Sequence, residues 1–175
     1  MRIIAGKYGS RIIKSPRGFK THPMGERMRN ALFNALGDLS DKVVWDAFAG
    51  SGSLAIESVS RGANEAIATE SDRSAYLILK ANAEKLHVYN VKAIKASCRA
   101  WSRNNVDKKF DLIFCDPPYN DLQLSTVFAL QTHLKPNGLM ILSYPGRDDI
   151  PLADGVVVVD NRNYGDAALA TYRLE

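Results

Sequence analysis

Cysteine, histidine and long apolar runs are scarce in this 175-residue chain, and each scarcity removes a class of protein. The two cysteines, Cys98 and Cys115, form no CxxC pair. That excludes a disulfide framework and a zinc site, and it fits reduced thiols in a cytoplasmic protein. The three histidines, His22, His87 and His133, are scattered and suit surface or helix-end positions rather than a metal cluster. No run of about 18 consecutive apolar residues is present, so no membrane span is expected. Met1–Lys7 lacks the apolar stretch and cleavage site of a secretory signal. Repeats and low-complexity tracts are also missing. What remains, 46% hydrophobic residues, is enough for the core of one domain with a small appendage.

Charge is unevenly spread. Residues 1–30 hold eight Lys or Arg against the single acid Glu26, a balance of +7, which leaves −3 for the rest of the chain. A basic arm on a mildly acidic body suits a phosphate-binding appendage on an enzyme domain.

The arm reads as a short hairpin, Arg2–Ala5 and Arg11–Lys14 around the Gly6–Gly9 turn. Pro16, Gly18 and Pro23 punctuate the next stretch, and a helix follows over Met24–Leu36, with Met28, Leu32, Phe33 and Leu36 on one face and Gly37 as its stop. From Asp41 strands and helices alternate. Strands are expected at Val43–Phe48, Glu65–Glu70, Val91–Ala96, Phe110–Cys115 and Leu139–Tyr144. Helices are expected at Ser53–Arg61, from an Asp72 or Ser71 cap to Leu86, and at Leu122–Leu134, with a short irregular or helical stretch around Trp101. Pro136-Asn137-Gly138 reads as a turn. Val156–Asp160 and Ala168–Arg173 are then two strands with no room for a helix between them. Repeated βα units require a parallel sheet covered on both faces, and the final hairpin adds an antiparallel strand. The expectation is an α/β, Rossmann-like, doubly wound, mostly parallel seven-stranded sheet with an antiparallel C-terminal hairpin and a small N-terminal β-hairpin/helix extension. Its divisions would be 1–38, the basic extension, and 39–175, the sheet domain.

Ligands of such sheets sit at the carboxyl ends of the strands, at the switch point. Asp46-Ala47-Phe48-Ala49-Gly50-Ser51-Gly52 lies there, a strand running through a Gly-x-Gly turn into a helix. Glu70, eighteen residues past Gly52, ends the next strand, where a carboxylate can accept hydrogen bonds from ribose hydroxyls. A nicotinamide site would show a similar loop and acid, although Ala55 stands where the dinucleotide fingerprint places its third glycine.

Asp116-Pro117-Pro118-Tyr119 is the most informative tetrapeptide. Two prolines fix φ and remove two donors, leaving carbonyl acceptors; Asp116 adds a carboxylate and Tyr119 an aromatic face. Together they suit an exocyclic amino group, whose lone pair is delocalised into its ring. Acceptors that bind its N–H bonds can turn that lone pair toward the sulfonium methyl of S-adenosylmethionine. Asp116 would stabilise the positive charge that develops, and Tyr119 would stack on the extruded base. This chemistry needs no metal.

Asp116–Tyr119 together with Asp46–Gly52 resembles the class I amino-methyltransferases. Arg2-Ile3-Ile4-Ala5-Gly6-Lys7, His22–Asn34, Asp46–Leu54 and Asn163-Tyr164-Gly165-Asp166 resemble, more narrowly, the bacterial 16S rRNA guanine-N2 methyltransferase family, which acts on the guanine conventionally numbered 966. The similarity runs over essentially the whole chain. It implies Asp116, Pro117, Pro118 and Tyr119 as catalytic residues. It implies cofactor contacts from Asp46, Phe48, Ala49, Gly50, Ser51, Gly52, Glu70, Ser71, Ser97 and Cys98, with S-adenosylhomocysteine as product. RNA contacts would come from Lys7, Arg11, Lys14, Arg27 and Arg29, of which Arg27 and Arg29 lie two apart on a helix and so face different ways. The implied partner is 16S rRNA within a small subunit or its assembly intermediate, and the protein is expected to act as a monomer. Two departures stand out: Ser97 replaces the acid usual after the third strand, and Glu26 stands where aspartate is commoner. The same tetrapeptide would serve an adenine-N6 or cytosine-N4 methyltransferase. Readings from other classes are a nucleotide-dependent oxidoreductase and a non-catalytic RNA-binding module.

Overall fold

The computed structural model describes residues 1–15 and 24–175. Seven strands form one sheet: β1 (Val43–Asp46), β2 (Glu65–Glu70), β3 (Val91–Lys95), β4 (Phe110–Cys115), β5 (Leu134–Pro145), β6 (Val156–Asn163) and β7 (Ala167–Leu174). Five helices cover it: α1 (Glu26–Leu36), α2 (Ser53–Ser60), α3 (Arg73–Lys85), α4 (Cys98–Asn104) and α5 (Leu124–Ala129), with a 3-10 turn at Leu130–His133. The spatial order is β3-β2-β1-β4-β5-β7-β6. β1 to β5 are mutually parallel, and β7 runs antiparallel between β5 and β6. This is the doubly wound sheet with a terminal hairpin that the sequence predicts.

Alternation along the central strands explains why both faces must be covered. Val44, Leu112 and Phe114 point into one apolar cluster with α1, α2 and α3. Trp45, Ile113 and Cys115 point into the other, with α4 and α5. A strand buried on both sides reads as a continuous apolar run, which is what Val43–Trp45 and Leu112–Cys115 are. In the second cluster the Trp45 and Trp101 rings pack at a tilt of 55° with centroids 4.6 Å apart. His133 is fully enclosed there, its ring nitrogens bonded to Ser102 Oγ and the Lys108 carbonyl, so it is a core residue and not a surface one.

Four local expectations differ from the structure. The N-terminal hairpin has a single antiparallel bridge, Arg2 to Ile12, rather than two strands. Ile3 N, Ser10 N and Ile13 N still bond across it, while its other donors turn to helix side chains: Glu57 accepts from Ile4 N at 2.7 Å and Ala5 N at 3.1 Å, Ser60 Oγ from Tyr8 N, and Asn82 from Lys14 N. Ile3, Tyr8 and Ile13 thereby join the core under α2 and α3. The helix expected to start at Leu122 starts at Leu124, because Gln123 takes a left-handed conformation (φ 49°), and it tightens into the 3-10 turn before Leu134. Pro136-Asn137-Gly138 is a bulge inside β5, not a turn ahead of it: the pairing with β4 jumps from Phe110–Leu134 to Leu112–Leu139, and Asn137 absorbs the excess at φ 62°. Finally, the hairpin strands β6 and β7 are longer than expected, leaving only Tyr164–Asp166 as the tip. The punctuating Pro16, Gly18 and Pro23, and with them Arg17, Lys20 and His22, lie outside the described residues.

Candidate functional site

Strand order reverses between β1 and β4, and a cavity of about 780 Å³ opens there at their carboxyl ends. Its lining includes Asp46 to Ser51 from β1 and the following loop, Glu70 and Ser71 after β2, Ser97 and Cys98 after β3, and Asp116 to Tyr119 after β4. The two motifs that the sequence places far apart thus border one space, through Gly50 and Ser51 of the glycine loop and through Asp116-Pro117-Pro118-Tyr119, while Gly52 lies behind the lining. Glu70 borders the same space.

The glycine loop is shaped by backbone sign and by packing. Gly52 is left-handed (φ 81°), and a Cβ on it would stand 2.2 Å from Leu79 Cδ1. Only glycine lets α2 begin this close to α3. The loop is then braced by two acids. Asp46, 1% exposed, accepts from Ala55 N at 3.1 Å through Oδ2, in the first turn of α2. Glu70 accepts from Gly50 N at 2.8 Å and from Asp72 N at 2.6 Å, so its carboxylate is fixed and retains lone pairs on both oxygens. Asp72 caps α3 through Ala75 N, as its position suggests.

Burial makes this end of the sheet electrostatically unusual. Desolvation, with Asp116 and Glu70 nearby, pushes the Asp46 carboxyl up to about 8. Desolvation alone raises Asp116 to about 6 against a hydrogen bond from Ser143 that lowers it. The Cys98 thiol is pushed up to about 11 by burial and is neutral. Cys115, buried beside it, is also raised by burial and packs in the core. Asp46 Oδ1 is buried with no hydrogen-bond partner among the described residues, although its residue lines the cavity. A buried unpaired carboxylate oxygen at a ligand cleft is a place for a donor from a ligand. The acid set of Asp46, Glu70 and Asp116 suits a cationic ligand carrying hydroxyls, and S-adenosylmethionine has both features.

The tetrapeptide is held from two sides. Tyr119, 38% exposed, places its hydroxyl 2.7 Å from Ser143 Oγ on β5. Of the two proline carbonyls expected to act as acceptors, Pro118's closes a turn onto Asp121 N at 2.9 Å, whereas Pro117's makes no hydrogen bond among the described residues. Ser97 Oγ is occupied as the cap of α4, accepting from Ala100 N at 3.2 Å, and keeps its proton for donation. Sequence reasoning missed Met24, Thr69 and Ser143. Met24 reaches the cavity from the segment before α1, and no periodicity announces that. Thr69 sits under the loop, bonded to Trp45 Nε1 and the Ala47 carbonyl. Ser143 interrupts an apolar strand, which is the one signal that could have found it.

On the basic side, Lys7, Arg11, Lys14 and Arg27 are exposed, and Lys7 and Arg11 flank the Tyr8 ring at 5.4 and 5.9 Å. Arg29 corrects the expectation that it contacts RNA. It is fully buried, its guanidinium donates to the Arg2 and Met24 carbonyls, and it ties the arm to α1.

Comparison with known proteins gives the same picture. Residues 1–173 match the family model described as conserved hypothetical protein 95. Ribosomal RNA small subunit methyltransferase D of Buchnera aphidicola (subsp. Acyrthosiphon pisum) is 34% identical over 67% of this chain, a match spanning 62% of that protein. YlbH of Bacillus subtilis, provisionally named an rRNA methyltransferase, is 30% identical over 99% of this chain and 98% of its own length. The solved structure of Escherichia coli yhhF, provisionally named a methyltransferase, superposes with a TM-score of 0.86 at 26% identity, covering 100% of this chain and 98% of that one. With the fold, the switch-point cleft and these relatives in agreement, the chain belongs to the bacterial ribosomal RNA small-subunit methyltransferase family, within the Rossmann-like methyltransferases.

Proposed function

We propose that this protein methylates the exocyclic N2 of one guanine in 16S rRNA, at the position the family conventionally numbers 966, using S-adenosylmethionine. The observation that carries the reading is the meeting of Asp116–Tyr119 with the Gly50-Ser51-Gly52 loop and Glu70 around one cavity. The rRNA substrate is supported by the relatives' names, and the choice of guanine N2 by the family resemblance.

S-adenosylmethionine, when bound, supplies an electrophilic methyl carbon on a sulfonium. Glu70, fixed by two amides, would accept from the ribose hydroxyls, Asp46 Oδ1 would take a donor, and Phe48 to Gly52, Ser71, Ser97 and Cys98 would shape the walls. The Asp116 carboxylate and the Pro117 carbonyl accept the two amino N–H bonds and turn the nitrogen lone pair to the methyl. Transfer of that methyl to the nitrogen would break its C–S bond, leave the electron pair on sulfur, and release one proton from the nitrogen to water at the mouth of the cleft. The Asp116 carboxylate would stabilise positive charge on nitrogen during transfer. Tyr119 stacks on the base, a contact worth roughly 1–3 kcal/mol. Residues 1–38 form the RNA-docking extension, with Lys7, Arg11, Lys14 and Arg27 on phosphates, and 39–175 the catalytic domain.

The test is Asp116→Ala. Methyl transfer should fall by about 100-fold or more while cofactor Kd stays within a few-fold. Turnover near the wild-type rate would remove Asp116 from the chemistry.

A further inference from the structure

Asp116 and Tyr119 both meet one side chain from the neighbouring strand. β4 and β5 run in parallel register with Cys115 beside Leu142, so the next residues along, Asp116 and Ser143, are neighbours. Ser143 is 1% exposed, between Leu142 and Tyr144 at 0% and 2%. A hydroxyl buried there has to find partners, and it finds them in the cleft. Its Oγ lies 2.7 Å from the Tyr119 hydroxyl, and the serine, beside Asp116, offsets part of the rise that burial imposes on that carboxyl. A serine hydroxyl has one proton and two lone pairs. Either hydroxyl can donate in the Tyr119 contact; a serine that turns its proton to Asp116 still accepts from Tyr119 O–H, so one side chain can serve both groups. The Tyr119 ring is otherwise half open to solvent, so this contact fixes its tilt.

We infer that Ser143 is a positioning residue for methyl transfer, pinning the Tyr119 ring on which the base lies and orienting the Asp116 carboxylate toward the amino group. The inference rests on the reading of the cleft given under Proposed function. The titratable groups around Asp116 are Asp46 on β1, Cys115 on β4 and Tyr119; Glu70 on β2 faces Asp46. None of them is a cation that could replace the serine's donor.

The test compares Ser143→Ala, Ser143→Thr, Tyr119→Phe and the Ala/Phe double variant in kcat, RNA KM and cofactor Kd across the acidic and neutral pH range. Ser143→Ala should lower kcat about ten-fold with cofactor Kd within two-fold. Its acidic limb should move to higher pH, because Asp116 has lost a donor to its ionised form. Ser143→Thr keeps the hydroxyl and should restore the limb. Tyr119→Phe should raise RNA KM and leave the limb in place, and the double variant should be no slower than Ser143→Ala within two-fold, since the two act through one contact. Wild-type kcat and an unmoved limb in Ser143→Ala overturn the inference. Should that variant fail to fold, Tyr119→Phe decides, and wild-type kcat and KM there overturn it equally. A wild-type protein that binds cofactor but methylates no RNA removes the reading of the cleft itself, and the role of Ser143 with it.

Discussion

Asp46 serves two demands with its two oxygens. One holds the start of α2, and the other is buried at the ligand cleft without a protein partner among the described residues. Near neutral pH its carboxyl, raised to about 8 by burial and by Asp116 and Glu70, is mostly protonated in the free protein. A cationic cofactor favours the ionised form, so binding near pH 7 should release protons and tighten as pH rises toward 8. Calorimetric titration in buffers of different ionisation enthalpy should detect that release, and Asp46→Asn should abolish it. An equal heat in all buffers would contradict the assignment. Asp116 gives a second limb in the same direction, at lower pH and in kcat rather than in binding. Its carboxyl, raised to about 6, has to be ionised to stabilise charge on nitrogen, so kcat should fall as pH drops through about 6 and hold above it.

The element on which the arm depends is α2. Glu57 is fully buried and accepts from Ile4 N, Ala5 N and, at 2.7 Å, Arg61 Nε. Removing it strands two backbone donors and a guanidinium that is itself mostly covered. Glu57→Ala should therefore destabilise the protein by about 2–4 kcal/mol, read as a lower urea midpoint. A midpoint within error of wild type would mean the arm is held by its apolar contacts and by its bonds to Ser60 and Asn82, without Glu57. The same element explains what sequence could and could not show. Helices and strands whose signal is local, such as Glu65–Glu70 and the Asp72-capped α3, are legible because alternation and caps specify them. The arm reads as a hairpin because its alternation is right, and Ile3 N, Ser10 N and Ile13 N do bond across it, yet Ile4, Ala5 and Tyr8 give their amide protons to side chains more than 50 residues away. The Pro136–Gly138 bulge is illegible for the same reason, since turn residues look alike whether they end a strand or bend one. Arg29 is a third instance: one helical residue from the exposed face, it is buried by the arm it holds.

The whole molecule joins a basic exposed arm to an acidic cleft, a division that the charge balance along the sequence already carries. The candidate site is legible in sequence because Gly50-Ser51-Gly52, Glu70 and Asp116–Tyr119 each end a strand, and the doubly wound order brings those ends together. Ser143 shows in sequence only as a polar break in an apolar strand, its place beside the cleft depending on strand register, and Met24 is not legible, because its place depends on the path of the chain before α1. If the arm holds RNA by phosphate contacts, replacing Lys7, Arg11 and Lys14 with Ala should weaken binding and reduce the slope of log K against log salt by about 2–3. An unchanged slope would place the RNA on another surface. The most direct measurement is methyl transfer from labelled S-adenosylmethionine to small subunits, or their 16S rRNA, lacking native methylation, with the product digested to nucleosides. Label confined to N2-methylguanosine is the expected result, and label in any other nucleoside, or none on RNA despite bound cofactor, contradicts it.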